Sequence, residues 1–195
     1  MKKILFGIFC LATASAMGQV TKNIQWTKES SLPVAQTIYY DTAARLKWDD
    51  FKGVPQDMGI VAAVTYSGFG YKADISSSGD KSRLNIKVYC YFNKNKSWVK
   101  EGKKTAYILG HEQHHFDISY IAACIFMDRL QGAVFSKTDL NVQLPRIYQE
   151  CVDMMDRMQD EYDSQTKNGQ VKEEQEKWNR KLTSMINQFS EPVKI

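Results

Sequence analysis

The sequence predicts an α+β fold in which a small antiparallel sheet packs on a helix with a His-Glu-x-x-His motif and on the long helices that follow. Residues 60–75 and 84–92 alternate apolar and polar side chains, as β-strands do. Beyond residue 103, apolar residues recur at three- and four-residue spacing in three successive stretches, which is typical of helices packed on one face. A chain of 195 residues is long enough for one domain with a substantial core.

Residues 1–18 have the pattern of a secretory signal peptide, which leaves residues 19–195 as a single folded domain with a C-terminal helix. Lys2 and Lys3 form a positively charged start, and an apolar run and a small-residue cleavage zone follow. The apolar run is too short to span a membrane, and no later run approaches the necessary length. We therefore expect a secreted or periplasmic protein without a membrane span.

The charge of the chain is nearly balanced. Its formal net charge of +4 falls to +2 without residues 1–18, which contain two lysines and no acid. Such a small charge gives no electrostatic reason to expect binding to nucleic acid, so the expected partner is a protein or peptide substrate. One local run of lysines is typical of a solvated loop, although its position just before the motif helix would also let it line a cleft. These are Lys94, Lys96, Lys100, Lys103 and Lys104.

The predicted strands lie in the first half of the domain. Residues 19–45 have a mixed pattern, with one possible short strand at 37–40. The segment 60–75 is rich in β-formers, and 84–92 is the clearest strand of the chain. A turn between these two segments predicts that they pair antiparallel, and residues 97–99 are expected to add a short third strand.

Three helices are predicted in the second half. The first begins near residue 103 and stops at Gly132, and Pro145 suits the first turn of the second. Asn168 and Gly169 should end the second helix. Its apolar stripe, expected to pack on the first helix, is Ile147, Cys151, Met154, Met155, Met158 and Tyr162. The packing face of the third helix is Trp178, Leu182, Met185 and Phe189.

The motif at His111, Glu112 and His115 predicts a zinc site on the first helix. Residues four apart on a helix point about 40° from one another, so both histidines can bind one metal ion from the same face. Glu112 would then lie beside an open coordination position, where it can act as a base toward water. A pair of His111 and His114 is conceivable, but it would leave Glu112 without this role.

A third protein ligand must come from another residue type, because the chain has only three histidines. The three cysteines after residue 18 have no zinc-binding spacing, so a carboxylate is expected, with a cysteine or a tyrosine as the less favoured alternatives. The candidates on the second helix are Glu150, Asp153, Asp156, Asp160, Glu161 and Asp163. Helical phase places Glu161 beside the apolar stripe and favours it. Asp163 becomes suitable if the helix is distorted or ends near Tyr162.

The motifs together resemble a family of predicted secreted zinc-dependent proteases of bacteria, largely a domain of unknown function. They are Leu46-x-Trp48-x-x-Phe51-x-Gly53-x-Pro55, His111-Glu112-Gln113-x-His115-Phe116-Asp117, Tyr162-Asp163-x-x-Thr166, Gln175 and Trp178. The resemblance implies a zincin-like metallopeptidase and makes Asp163 the preferred third ligand, with Glu161 second. The chain departs from the family pattern at His114, where a small residue is expected, and at Asn168, where a histidine is expected.

The expected function is that of a secreted zinc-dependent metallopeptidase that hydrolyses peptide bonds, with Zn2+ on His111, His115 and Asp163 and with Glu112 as the base. Oxyanion donors could come from Tyr162, Tyr107 or His114. Asp117 would either orient a ligand or have a structural role. One alternative is a secreted metal-binding or interaction protein of the same fold without turnover. Another is a zinc hydrolase that acts on amide or ester bonds outside proteins.

Overall fold

The computed structural model describes residues 20–78 and 81–190, and these residues form the α+β fold that the sequence predicts. The strands are β1 (Val20–Trp26), β2 (Thr37–Tyr39), β3 (Ala63–Val64), β4 (Ser67–Ser78), β5 (Lys81–Asn93) and β6 (Trp98–Val99). The helices are α1 (Ala106–Gly132), α2 (Leu140–Thr166) and α3 (Lys172–Ser190), with single 3-10 turns at Val34–Gln36 and Trp48–Asp50. The predicted signal peptide lies outside the described residues.

Strand β5 is the centre of the main sheet. It pairs antiparallel with β4 along one edge, and its other edge holds β1 in parallel and β2 antiparallel. The sequence predicts a small antiparallel sheet, but the main sheet is mixed, because β1 runs parallel to β5. Strands β3 and β6 form a separate antiparallel pair. The inward side chains of β5, among them Leu84, Ile86 and Val88, have no exposed surface and form the floor of the core.

The sequence pattern did not predict β1 because a lysine occupies one of its inward positions. Val20, Ile24 and Trp26 face the core side, and Lys22 stands between them in the same alternation. The Lys22 ammonium donates hydrogen bonds to the carbonyl oxygens of Leu130 (3.0 Å) and Gln131 (2.6 Å) at the end of α1. A cation there stabilises the negative end of the helix, so this inward charge has a structural partner.

The segment 60–75, predicted as one strand, is two. A break at residues 65–66 separates β3 from β4, so the chain passes from the small sheet to the main sheet at this point. The sequence also predicts a bulge or a close backbone approach at Gly68 and Gly70. A close approach is what the structure shows, since a Cβ atom at Gly70 would lie 2.7 Å from the hydroxyl oxygen of Tyr89.

Helix α1 crosses the main sheet on one side and contacts α2 and α3 on the other. Helix α2 begins at Leu140, so Pro145 lies within it and not in its first turn as predicted. The buried side chains of Leu140 and Leu144 hold this earlier turn against the core. Helix α2 ends at Thr166, before Asn168 and Gly169 as the sequence predicts. No described helix combines the length and apolar character that crossing a membrane would require.

Candidate metal centre

The motif residues lie in the second and third turns of α1, where the helix is enclosed by other elements. Thr105 precedes the helix, and its hydroxyl accepts a hydrogen bond from the backbone N–H of Ile108 at 3.1 Å, as an N-cap does. One turn later His111 and Glu112 are buried, and His115 retains only a small exposed edge. A helix covered by a sheet and by two other helices can bury polar side chains on several faces, which a helix with one apolar stripe cannot.

The two histidines and Asp163 bring three ligand atoms together. Asp163 Oδ1 lies 3.1 Å from His111 Nε2 and 3.1 Å from His115 Nε2, and the two nitrogens are 3.3 Å apart. A tetrahedral zinc ion about 2.0–2.1 Å from each donor would separate its ligand atoms by about 3.3 Å. The triangle therefore has the dimensions that a small tetrahedral cation requires, and these three residues could hold one. We refer to them as the triad.

Two glutamine side chains fix the orientation of the histidine rings. Gln159 Nε2 donates to the backbone carbonyl of His115 at 2.9 Å, which leaves Gln159 Oε1 to accept from His115 Nδ1 at 2.5 Å. Gln175 likewise donates from Nε2 to the hydroxyl of Tyr162 (2.6 Å) and accepts from His111 Nδ1 at 2.9 Å. Since an amide oxygen can only accept, both Nδ1 atoms carry hydrogen and both Nε2 atoms of the neutral rings present lone pairs to the centre of the triad.

Three acceptors that face one another at about 3 Å repel unless a cation stands between them. The pKa values of His115 and Asp163 are both shifted. Burial alone would lower the pKa of His115, but its hydrogen bond to Asp163 and the charge of Glu112 raise it to about 9. Burial alone would raise the pKa of Asp163, but its interactions with the His111 and His115 rings hold it well below its usual range. Without a metal ion, these shifts favour a proton held between His115 and Asp163.

The Oε2 atom of the Glu112 carboxyl group is buried and has no hydrogen-bond partner among the described residues. Burial raises the pKa of its carboxyl group, against the lowering effect of His115 and His111. A buried carboxylate oxygen without a partner is costly for a fold and is a common feature of functional sites. Glu112 and the triad line one cavity of about 380 Å³.

Asp163 and Glu161 occupy different environments on α2. Helical phase favours Glu161, but this side chain is exposed, whereas Asp163 lines the cavity. The reason is that Gln159 and Asp163 are four residues apart and share one face of α2, and Gln159 contacts His115. This face, at the margin of the apolar stripe, lies over the motif of α1.

The aromatic residues considered as oxyanion donors do not all face the cavity. Tyr162 has no exposed surface, its ring stacks on His111 with 4.6 Å between ring centroids, and its hydroxyl donates to the His111 carbonyl at 3.3 Å. It therefore supports the ligand. Tyr107 lines the cavity, but its hydroxyl donates to the Gly169 carbonyl at 2.7 Å. His114 is turned toward Asp117, with Nδ1 2.8 Å from a carboxylate oxygen.

Asp117 has a structural role on the side of α1 away from the triad. Its carboxylate is fully buried and accepts hydrogen bonds from the Tyr40 hydroxyl (2.8 Å) and from Gln113 Nε2 (2.9 Å). Gln113 Oε1 in turn accepts from the backbone N–H of Leu46 at 2.8 Å. Gln113 and Asp117 thus attach the segment around residues 40–46 to α1.

Asn168 lies at the rim of the cavity, in a left-handed turn that follows α2. Its side chain is not part of the triad, and its backbone N–H donates to the Asp163 carbonyl at 2.9 Å. Gly169 follows with φ +78°, and a Cβ atom there would lie 3.2 Å from Cγ of His111. Only glycine combines this backbone conformation with so close an approach to the ligand.

Reasoning from the sequence missed the two glutamines that hold the histidines. Gln175 occurs among the motifs of the resemblance, but nothing there assigns it a role. Gln159 has no signal at all, because an exposed glutamine and a ligand-orienting glutamine look alike in a sequence. Comparison of the chain with protein-family models, curated proteins and solved structures finds no match in any of the three. The capacity of the triad to hold a metal ion is therefore supported by the geometry of its own residues alone.

Proposed function

We propose that this chain is a secreted zinc-dependent metallopeptidase that hydrolyses peptide bonds, with zinc held by His111, His115 and Asp163. The observation that carries the proposal is the Glu112 carboxyl group, which has a buried oxygen without a partner among the described residues and belongs to a residue that lines the same cavity as the triad. A site that only stored a metal ion would have no need of this costly group. Zinc is favoured among small cations because two of the three donors are imidazole nitrogens.

Each residue of the site has a distinct role in the proposed hydrolysis. Zinc, when bound, supplies Lewis acidity toward water and toward a substrate carbonyl. Glu112 accepts a proton from water through Oε2 and later delivers it to the leaving amine, and its raised pKa brings it closer to neutral pH, where both transfers are favourable. Gln159 and Gln175 keep both Nε2 atoms free of hydrogen, and Tyr162 stacks on His111 and limits its rotation.

The test uses the chain from residue 19 onward, assayed for bound zinc by elemental mass spectrometry and for cleavage of casein. We expect one zinc per chain and casein cleavage. Glu112→Gln should retain the zinc and lose at least about a hundredfold in cleavage rate, the usual effect of removing a general base. Asp163→Asn should lose the zinc, and Glu161→Gln, an exposed carboxylate on the same helix, is the matched control and should retain both properties.

Two other outcomes would replace this function. Stoichiometric zinc without cleavage, unchanged by Glu112→Gln, would indicate a metal-binding or interaction protein without turnover. Cleavage of non-protein amide or ester substrates in a panel, with casein intact, would indicate a hydrolase of another substrate class. A chain without stoichiometric zinc, in which His111→Ala changes nothing, would overturn both enzymatic functions.

A further inference from the structure

The cavity above the triad adjoins a second cavity of about 560 Å³. The two share six lining residues: Val61, Ala62, Tyr107, Ile108, Asn168 and Gly169. We refer to the two adjoining cavities together as the groove, and to the second one as its extension. A substrate whose reactive bond lies at the triad would place its neighbouring residues in this extension.

The two ends of the groove differ in charge. Glu112, Asp156 and Asp163 line the end at the triad, whereas the extension is lined by three lysines and by no acid. Lys100 has a structural contact, since its ammonium donates a hydrogen bond to the Gly59 carbonyl at 2.7 Å.

Lys103 and Lys172 are the free cations of the extension. Both are exposed, and neither forms a salt bridge with any residue in the described part of the chain. Burial and the charge of Glu176 raise the pKa of Tyr107, which lines both cavities. Glu176 does not line the groove, so the extension presents a net positive charge to its occupant.

We propose that Lys103 and Lys172 form a carboxylate-binding subsite, which selects peptides with a carboxylate to one side of the bond at the triad. This inference rests on the proposed function, because it takes the bound molecule to be a peptide. The carboxylate can come from an Asp or Glu side chain or from the C-terminus of the peptide. Lysine ammonium groups attract either source as point charges, and the attraction weakens as salt is added.

The experiment measures binding separately from cleavage. Zinc-loaded Glu112→Gln protein, from residue 19 onward, is titrated into four fluorescein-labelled unstructured peptides of equal length, and anisotropy is recorded. One peptide carries Glu residues and a C-terminal amide, and a second carries Gln in their place with the same amide. The third carries Gln with a free C-terminus, and the fourth carries Lys with the amide.

We expect the Glu peptide or the free-carboxylate peptide to bind on the order of tenfold more tightly than the Gln amide, as two exposed charge contacts would provide. The Lys peptide should bind most weakly. The double variant Lys103→Gln, Lys172→Gln should abolish the preference. Lys104→Gln removes an equally exposed lysine that lines neither cavity, and it should keep the preference.

Which of the two carboxylate peptides binds more tightly identifies the source of the carboxylate. Equal binding of all four peptides, or a preference that survives the double variant, would overturn the subsite. Casein cleavage by the unmodified chain separates this result from the proposed function. Cleavage without a carboxylate preference would support the peptidase function and contradict the carboxylate-binding subsite. A preference without cleavage keeps the subsite and removes the catalytic function.

Discussion

A single proton decides the state of the metal-free triad. His115 has a pKa of about 9 in the folded chain, against about 6.5 for an ordinary histidine, because its hydrogen bond to Asp163 and the charge of Glu112 outweigh the effect of burial. A pKa raised on folding contributes stability that is fully present below pH 6.5 and is lost as the pH rises through 9. The metal competes with this proton, since both require the same lone pair on Nε2.

We therefore expect the zinc-free chain to lose stability between pH 6.5 and 9, and Asp163→Asn to flatten this part of the profile. The reason is that the amide cannot hold the His115 proton as the carboxylate does. Urea unfolding at several pH values, in the presence of a chelator, measures the slope. Glu161→Gln is the control and should follow the unmodified chain. Parallel profiles for Asp163→Asn and the unmodified chain would show that His115 has an ordinary pKa.

At the scale of elements, β1 is attached to the rest of the fold by an unusual contact. The Lys22 ammonium reaches the carbonyl oxygens at the end of α1, 108 residues further along the chain. We expect Lys22→Met to lower the free energy of unfolding by about 1–2 kcal/mol, because the helix end loses both a hydrogen-bond donor and a favourable charge. Urea unfolding tests this. Lys28→Met removes an exposed ion pair with Asp41 and should cost less than about 1 kcal/mol. Equal effects of the two substitutions would argue against the capping role.

An element is predictable from the sequence when its inward side chains only fill the core. It is harder to predict when one of them also makes a specific polar contact. Strand β5 and helix α3 were predictable because apolar side chains recur along them at the spacing of a strand and of a helix, respectively. The inward lysine of β1 hid the alternation that identifies a strand. At the candidate site, local spacing on one helix was enough to predict the placement of His111, Glu112 and His115. The position of Asp163 depends on which face of α2 meets α1, and helical phase alone does not give that face.

At the scale of the whole molecule, the triad lies where two hydrophobic clusters meet. The larger cluster joins the sheet to α1 and to the first half of α2, and the smaller one joins α1, α2 and α3 through Ile118, Tyr162 and Trp178. Two residues of the triad come from α1 and the third from α2, and Gln175 of α3 holds His111. A bound ion would therefore add a further connection between these helices.

We expect zinc to stabilise the entire fold, since an ion that binds only the folded chain adds about 4 kcal/mol at a thousand times its dissociation constant. For a chain of this size, this corresponds to a rise in Tm of roughly 10 °C. Differential scanning calorimetry with excess zinc and with chelator measures the difference. Glu112→Gln should keep the rise, because it leaves the three ligands in place, whereas His111→Ala should abolish it. A Tm that is the same with zinc and with chelator would mean that the triad holds a proton and not a metal ion.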